Sequence, residues 1–513
     1  MAAERVPGRG AVARIGAQGR WLALPLGLLL ALAFAPTDQW YLAFLCPAAL
    51  FALWQDVTPR EAALRGLLFT GGTFLAGTYW LYHSIHLVGQ APVWIALFLM
   101  LGLVVIMGAY TALAGYVAAR WVSPRGLSRW LVGLPALWVL TEWVRGWFLS
   151  GFPWLALGYA QLSTPLRAYA PVLGVYGVSL AVAVTAGVLV TLLLGDRRER
   201  LVAGATVLVV WLGAALLSLV PWTRPVGGPV SVALVQGAVP QSMKWVPGQR
   251  ERTMQLYVDL TVPQLGADII VWPESAIPAL EQSIRPFLDA VAGAARSRGS
   301  ALVTGLIRRD AATGSHYNSI AAWSTTDAVP QWYDKRRLVP FGEFFPVPAS
   351  VREWLRLMNL PYSDFQSGRD DQSPLRVAGQ ALAPTVCYED AYGSEQLPLV
   401  RQSTLLVNVT NDAWFGDSTA PHQHLDISRM RALESGRAML RATNDGVTAL
   451  IDHDGALAGS QPQFVPGVLR GEVQPRAGLT PYVRYGNWPV IVFLLAGVGA
   501  AARARRREPG VPQ

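Results

Sequence analysis

Ala383-Pro-Thr-Val-Cys-Tyr-Glu-Asp390 carries a short apolar run that reads as a strand and delivers a cysteine, Cys387, at its end. The same layout occurs twice upstream. Ala267-Asp-Ile-Ile-Val-Trp-Pro-Glu274 is a buried-strand pattern followed by a glutamate, and Gln331-Trp-Tyr-Asp-Lys335 is a short strand candidate followed by a lysine. Strand ends in open α/β sheets are where ligands bind and catalytic groups gather. Each residue alone has a bland reading: a glutamate after proline in a solvated loop, a lysine beside Arg336 and Arg337 on a basic surface, a cysteine as a small core residue. Together they form a base, a cation and a nucleophile. A thiol with a pKa of about 8.5 is mostly protonated at neutral pH. A carboxylate nearby takes its proton as general base, and an ammonium stabilises the oxyanion of a tetrahedral intermediate. Attack on an acyl carbonyl then yields a thioester, an intermediate suited to transfer onto an amine.

Outward from these motifs, residues 230–236, 301–307, 405–409 and 447–451 read as strands, and 281–298 and 422–442 as helices. Strands mixed with helices in this way predict a layered α/β domain with a mixed sheet. Internal repeats, Gly-rich phosphate loops and metal-spaced Cys/His sets are not evident. His422 and His424 read as surface or supporting residues, because no third ligand accompanies them, and neither a metal nor a cofactor is expected. The second cysteine, Cys46, lies inside an apolar run, which argues against a disulfide. Only two lysines occur, Lys244 and Lys335, among 42 Lys and Arg residues. Lysine, unlike arginine, shifts its pKa and transfers protons.

Of the 513 residues, 52% are hydrophobic and 15% charged. That is too apolar for an ordinary soluble chain and too charged for a pure membrane bundle. Eight apolar segments run roughly over 21–36, 39–55, 62–82, 92–119, 130–149, 168–194, 201–221 and 487–502. A spanning helix needs about 20 residues, so the first two are short enough for a re-entrant pair. Trp and Tyr crowd the segment ends, as interface anchors do. Arginines crowd alternate connections: Arg5, Arg9, Arg14 and Arg20; Arg60; Arg120, Arg125 and Arg129; Arg197, Arg198 and Arg200; Arg503, Arg505, Arg506 and Arg507. The opposite stretches 37–38 and 83–91 hold none, and 150–167 only Arg167. By the positive-inside rule the N-terminus is cytoplasmic and 222–486 lies outside the cytoplasm. The net charge of +9 therefore marks a membrane surface rather than a nucleic-acid partner. Ala33-Phe-Ala35 resembles a signal-peptide cleavage site, but Pro36 argues against cleavage. Glu142 and Arg145, one turn apart in the fifth segment, are expected to pair or to face a polar cavity. The Gly-rich stretches 66–77 and 151–177 suit close helix packing.

Pro273-Glu274, Tyr333-Asp-Lys335 with Phe341-Gly-Glu343, and Cys387-Tyr-Glu-Asp390 resemble the three motifs of the nitrilase superfamily, in the same order. With Trp272-Pro-Glu-Ser275, the run Tyr333–Pro346, Asn408-Val-Thr-Asn-Asp-Ala-Trp-Phe415 and the flanking apolar segments, the chain more narrowly resembles the apolipoprotein N-acyltransferase family of Gram-negative bacteria along essentially its whole length. The resemblance implies a membrane α-helical bundle of about eight transmembrane helices plus an α-β-β-α sandwich. It divides the chain into N-terminal membrane helices (1–221), a periplasmic catalytic domain (222–486) and a C-terminal membrane helix with a basic tail (487–513). The implied reaction moves an acyl chain from a phospholipid to Cys387 as a thioester, then to the N-terminal amine of an S-diacylglyceryl cysteine on an apolipoprotein, at the bacterial inner membrane. Glu274 is then the general base, Lys335 the stabiliser of the tetrahedral intermediate and Glu343 its supporting glutamate, with an oxyanion donor in the Tyr388 N–H. Trp245, Tyr388 and Glu389 are implied substrate-site or structural supports, Asn318 and Trp414 weaker candidates. Residues 344–365, with Phe344, Phe345, Trp354, Leu355, Leu357 and Met358, read as a lid or membrane-dipping arm, or as an amphipathic packing helix. One rival reading is a membrane-tethered amidase for a small amide. Another is a transporter or scaffold with a silent domain, against which an intact Glu-Lys-Cys set argues.

Overall fold

The structure is a computed structural model that describes residues 19–244, 246, 248–344 and 365–507. All but the ends of the expected 344–365 arm lies outside the described residues. The chain forms two compact units.

One unit takes the described parts of Met1–Tyr79 and Tyr485–Gln513 together with Leu97–Val220. Among the described residues, four helices are long and apolar enough to cross a membrane: Val93–Trp121, Pro165–Leu194, Arg197–Leu217 and Trp488–Arg506. Gly19–Ala33 and Leu42–Leu53 are apolar but shorter. The latter has 12 residues, and at 1.5 Å per residue it reaches about 18 Å against a hydrocarbon core of ~30 Å. The expected third and fifth segments appear as helices Pro59–Gly77 and Leu134–Arg145. Arg197–Leu217 opens with a reciprocal cap, in which Asp196 accepts from the Glu199 N–H and Glu199 from the Asp196 N–H. Its Leu201, Leu208, Val209, Leu212 and Leu216 stay exposed, as a lipid-facing helix requires.

Small residues set the helix spacing here. A Cβ added at Gly27 would lie 1.8 Å from the Phe69 carbonyl oxygen, so helix Gly19–Leu30 packs backbone to backbone on Pro59–Gly77. Thr70 and Thr111 add a hydroxyl bond of 2.8 Å between neighbouring helices. Glu142 and Arg145 both serve the irregular segment that follows. Glu142 Oε1 accepts from the Trp138 indole and the Leu157 amide, while Arg145 Nη2 donates to the Trp154 and Leu155 carbonyls. Backbone groups outside a helix have no water to bond in such an interior, and these two charges take its place.

The second unit comprises Trp80–Ala96 and Pro221–Arg484. Trp80 explains why residues 80–96 belong with it: the ring meets Phe415 edge-on at 4.9 Å, and its N–H donates to Gln423. Among the described residues, the strands of its two larger sheets are β1 (Val230–Gln236), β2 (Ile269–Trp272), β3 (Ala301–Arg309), β4 (His316–Trp323), β5 (Gln331–Asp334), β6 (Leu375–Val377), β7 (Gln380–Val386), β8 (Leu405–Thr410), β9 (Met439–Thr443), β10 (Ala449–Ile451), β11 (Leu457–Ser460) and β12 (Gly467–Val473). They form two six-stranded sheets ordered β12-β1-β2-β3-β4-β5 and β11-β10-β9-β8-β7-β6. Pairs β1/β2, β2/β3, β7/β8 and β8/β9 are parallel.

Alternation along the strands builds the layers. Val232 and Leu234 of β1, with Ile269 and Val271 of β2, pack against Leu382, Leu405 and Val407 of the other sheet. Their neighbours Ala233, Val235, Ile270 and Trp272 face Tyr257, Ile284 and Leu288 of the helices Gln249–Thr261 and Glu281–Ser297. Leu397, Leu425 and Ala432 bring the helices Gly393–Val400 and Ala420–Ser435 onto the second sheet. The result is an α-β-β-α sandwich. The helix expected over 422–442 ends early: Gly436 turns left-handed at φ 62°, which closes the helix, and Met439–Thr443 runs on as strand β9.

Replacing Gly27 with valine overpacks the helix contact, which costs about 1–3 kcal/mol. Thermal unfolding in detergent is expected to show a lowered midpoint for Gly27→Val. An unchanged midpoint would mean that the helices separate freely.

Candidate active site

The ends of strands from both sheets meet at one place. Cys387 follows β7 directly and opens a 3₁₀ turn, Cys387–Ala391, with φ at 52°. Lys335 follows β5, and Glu274 lies two residues beyond β2. Asn318 of β4 donates its amide to both carboxylates, at 2.6 Å to Glu274 Oε1 and 2.7 Å to Glu343 Oε1. Lys335 Nζ lies 2.9 Å from Glu343 and 3.9 Å from Glu274 Oε1. Glu343 Oε2 accepts the Val339 N–H at 2.8 Å. All five side chains are buried, Lys335 to 1% exposure.

Burial alone would pull the Lys335 ammonium down, but Glu343, Glu274 and Cys387 outweigh it and hold the group above its ordinary value. Lys335 therefore stays charged. The Cys387 thiol is pushed well up by burial, with Glu274 adding and Lys335 opposing. It rests as a neutral thiol, and a nucleophilic role would require a base to take its proton. The second lysine, Lys244, is also buried and donates to the Glu274 carbonyl at 3.4 Å. Burial lowers it to about 8 against Glu274 and Asp445.

Glu389 is fully buried beneath this site. It accepts the N–H groups of Val386 (2.8 Å), Arg336 (2.7 Å) and Arg337 (3.2 Å) and the Tyr333 hydroxyl (3.0 Å). Burial raises its carboxyl, and these donors oppose the rise. Behind Cys387, His424 Nδ1 lies 3.0 Å from Asp412, and Nε2 lies 3.0 Å from Asp390 and 3.3 Å from the Cys387 carbonyl. Arg441 binds Asp412 (3.0 Å), Asn408 (2.9 Å) and Ser428 (2.7 Å). Ligand atoms of Cys387, Asp412 and His424 lie within 4.8 Å of one another. Both imidazole nitrogens already face carboxylates, so the histidine has no lone pair for a metal.

The structure thus brings Glu274, Lys335, Glu343 and Cys387 together. It puts Asn318, a minor expectation, at their centre. Glu389 supports backbone below them, and the Tyr388 hydroxyl meets that of Tyr392. Trp414 stays 39% exposed on the turn after β8. Trp245 lies outside the described residues. His424, expected at the surface or in support, is buried at 1% exposure. Asp390, Asp412 and Arg441 have no role in the sequence reading: Arg441 falls within the expected helix 422–442, and only the observed strand β9 buries it as a counter-charge.

Residues 231–482 match the carbon-nitrogen hydrolase family, so the sandwich is of the nitrilase class. Residues 26–188 match the apolipoprotein N-acyltransferase N-terminal domain. Proteins named apolipoprotein N-acyltransferase from Methylococcus capsulatus and Pseudomonas syringae are 44% and 42% identical over 488 and 504 residues, covering 95% and 96% of this chain and 96% and 98% of theirs. The chain belongs to the apolipoprotein N-acyltransferase family.

Glu389→Gln puts an amide NH₂ where a backbone N–H needs an acceptor. An unsatisfied buried donor costs about 1–3 kcal/mol, so the thermal midpoint is expected to fall and Cys387 to alkylate at an altered rate. Wild-type values for both would remove Glu389 from the support of the site.

Proposed function

We propose that this protein transfers an acyl chain from a phospholipid, through a thioester on Cys387, to the N-terminal amine of an S-diacylglyceryl cysteine on apolipoproteins. Family membership along the chain supports the reaction class. The observation that carries the mechanism is the buried Glu274–Lys335–Glu343 cluster around a neutral thiol.

Glu274 takes the Cys387 proton as sulfur attacks the ester carbonyl. The tetrahedral oxyanion forms beside the Lys335 ammonium, with the Tyr388 N–H as a further donor. Collapse breaks the ester C–O bond, and the departing lysophospholipid alkoxide receives the proton from Glu274. In the second half the acceptor amine attacks the thioester, Glu274 takes a proton from its nitrogen, and the Cys387 thiolate leaves and is reprotonated. Glu343 holds the Lys335 ammonium in place, and Asn318 holds both carboxylates.

Both substrates are held in a bilayer by their acyl chains, which suits a catalytic unit carried on the same chain as membrane helices. We assign about eight transmembrane helices, with membrane parts over 1–221 and 487–513 and the catalytic domain over 222–486. The arginine pattern supports a cytoplasmic N-terminus and a periplasmic catalytic domain at the inner membrane. Trp245 is proposed as a substrate-site or structural support, as the family resemblance implies.

The test is intact mass after incubation of the purified, detergent-solubilised protein with a phospholipid labelled on its sn-1 chain. One hydroxylamine-labile acyl adduct is expected, absent in Cys387→Ser and slowed by about 10²–10⁴ in Glu274→Gln. No adduct on a Cys387 that still alkylates would reject phospholipid as donor.

A further inference from the structure

We infer that His424 is a positioning residue for the nucleophile: an imidazolium locked between Asp390 and Asp412 that grips the Cys387 carbonyl and thereby holds the left-handed backbone from which the thiol projects. The inference rests on the reading of Cys387 as nucleophile.

The first observation is geometric. His424 Nδ1 faces Asp412 Oδ1 at 3.0 Å, and Nε2 faces Asp390 Oδ1 at 3.0 Å and the Cys387 carbonyl at 3.3 Å. All three partners are acceptors. A neutral imidazole has one N–H and would turn a lone pair on one carboxylate, so the arrangement is satisfied only with both nitrogens protonated. The electrostatics agree: burial and Arg441 pull the group down, Asp390 and Asp412 outweigh them, and the pKa rises to about 9.

The second observation is what the network holds. Cys387 sits at φ 52°, a region that a non-glycine residue keeps only where its surroundings over-determine it. Its carbonyl takes two donors, His424 Nε2 and Asn408 Nδ2 at 3.2 Å. Both trace to Arg441, which binds Asn408 Oδ1 directly and Asp412 Oδ2 on the far side of the imidazolium. Ser428 closes the circuit between Arg441 and Asp390. Two cations and two carboxylates balance, with His424, Asp390, Asp412 and Arg441 all at or below 1% exposure. A bare stabilising cluster has no need to reach the carbonyl of the reacting residue; this one ends on it.

The experiment uses full-length protein in detergent with the labelled phospholipid, and reads the rate of thioester formation together with the thermal midpoint. In His424→Gln the amide nitrogen reaches the Nε2 position and keeps a donor for the Cys387 carbonyl; in His424→Asn it reaches only the Nδ1 position. Misplacing a reacting group by about 1 Å costs on the order of 10²-fold. His424→Asn is expected to slow thioester formation by about that factor with KM for phospholipid unchanged, and His424→Gln to stay within roughly tenfold of wild type. Equal slowing of both variants in step with a lowered midpoint, or wild-type rates in His424→Asn, would overturn the inference. If His424→Asn does not fold, Asp390→Asn decides. The wild-type rate should fall as pH rises through about 9, and loss of one carboxylate facing His424 should move that fall to lower pH; an unmoved limb overturns the inference. Cys387→Ala separates the two readings, since an adduct that persists there rejects the nucleophile itself rather than the role of His424.

Discussion

A single carboxylate out of reach of water ties the two sheets together at the end where the chemistry gathers. Glu389 accepts from Val386 at the end of β7 in one sheet, and from Tyr333, Arg336 and Arg337 at the end of β5 in the other. Burying an ion costs several kcal/mol, and four donors aimed at one carboxylate offset it. Lys335 and Cys387 are the residues adjoining these anchored amides. Their separation is set by short backbone bonds to one group, not by the reach of flexible side chains. The turn Cys387–Ala391 sends successive residues to different places: Cys387 to the site, Glu389 to the facing sheet, Asp390 to His424.

Much of this was legible in the sequence, for a definable reason. The strands 230–236, 331–334 and 405–409 announce themselves as buried β-rich runs, and the residues closing such runs are where a sandwich of this kind exposes side chains. What was missed depends on contacts distant in sequence. β4, His-Tyr-Asn-Ser-Ile-Ala-Ala-Trp, begins with polar residues and is a strand because it pairs with β3 and β5. Asn318 lies 44 residues from Glu274 and 25 from Glu343, so no local pattern reveals that one amide bridges them. The helix predicted over 422–442 overran because Arg-Ala-Met-Leu-Arg-Ala is as good a helix former as a strand. Parallel pairing with β8 decides it, and pairing is invisible locally.

The electrostatics divide into two nearly closed circuits on either side of the sulfur. On one, Lys335 is shared by Glu274 and Glu343. On the other, His424 and Arg441 balance Asp390 and Asp412. A pre-formed thiolate would need a net positive surrounding, as reactive cysteines elsewhere have. Here burial and Glu274 keep the thiol protonated. In the proposed mechanism the proton is therefore removed in the same event that brings sulfur to carbon, which requires Glu274 to be oriented before the substrate arrives. Its amide bond from Asn318 and its ion pair with Lys335 supply that orientation.

Buried charge alone does not distinguish chemistry from architecture in this protein. In the membrane-helix unit, Glu142 accepts a backbone N–H, Arg145 donates to carbonyls of the irregular segment after its helix, and Arg65 and Arg129 donate to carbonyls where helix Leu42–Leu53 stops. In the catalytic unit Glu389 and Lys244 do the same work. A charge bonded to main chain is committed, because moving its proton would strand a peptide group in a low-dielectric interior. The Glu274 carboxylate and the Lys335 ammonium are bonded to side chains. Glu343 stands between the two kinds, with one oxygen on Lys335 and the other on the Val339 N–H. That gradation, from committed to free, orders the groups as support, positioning residue and proton carrier. It agrees with the proposed role of Glu274 as proton carrier, since its carboxylate meets the side chains of Asn318 and Lys335.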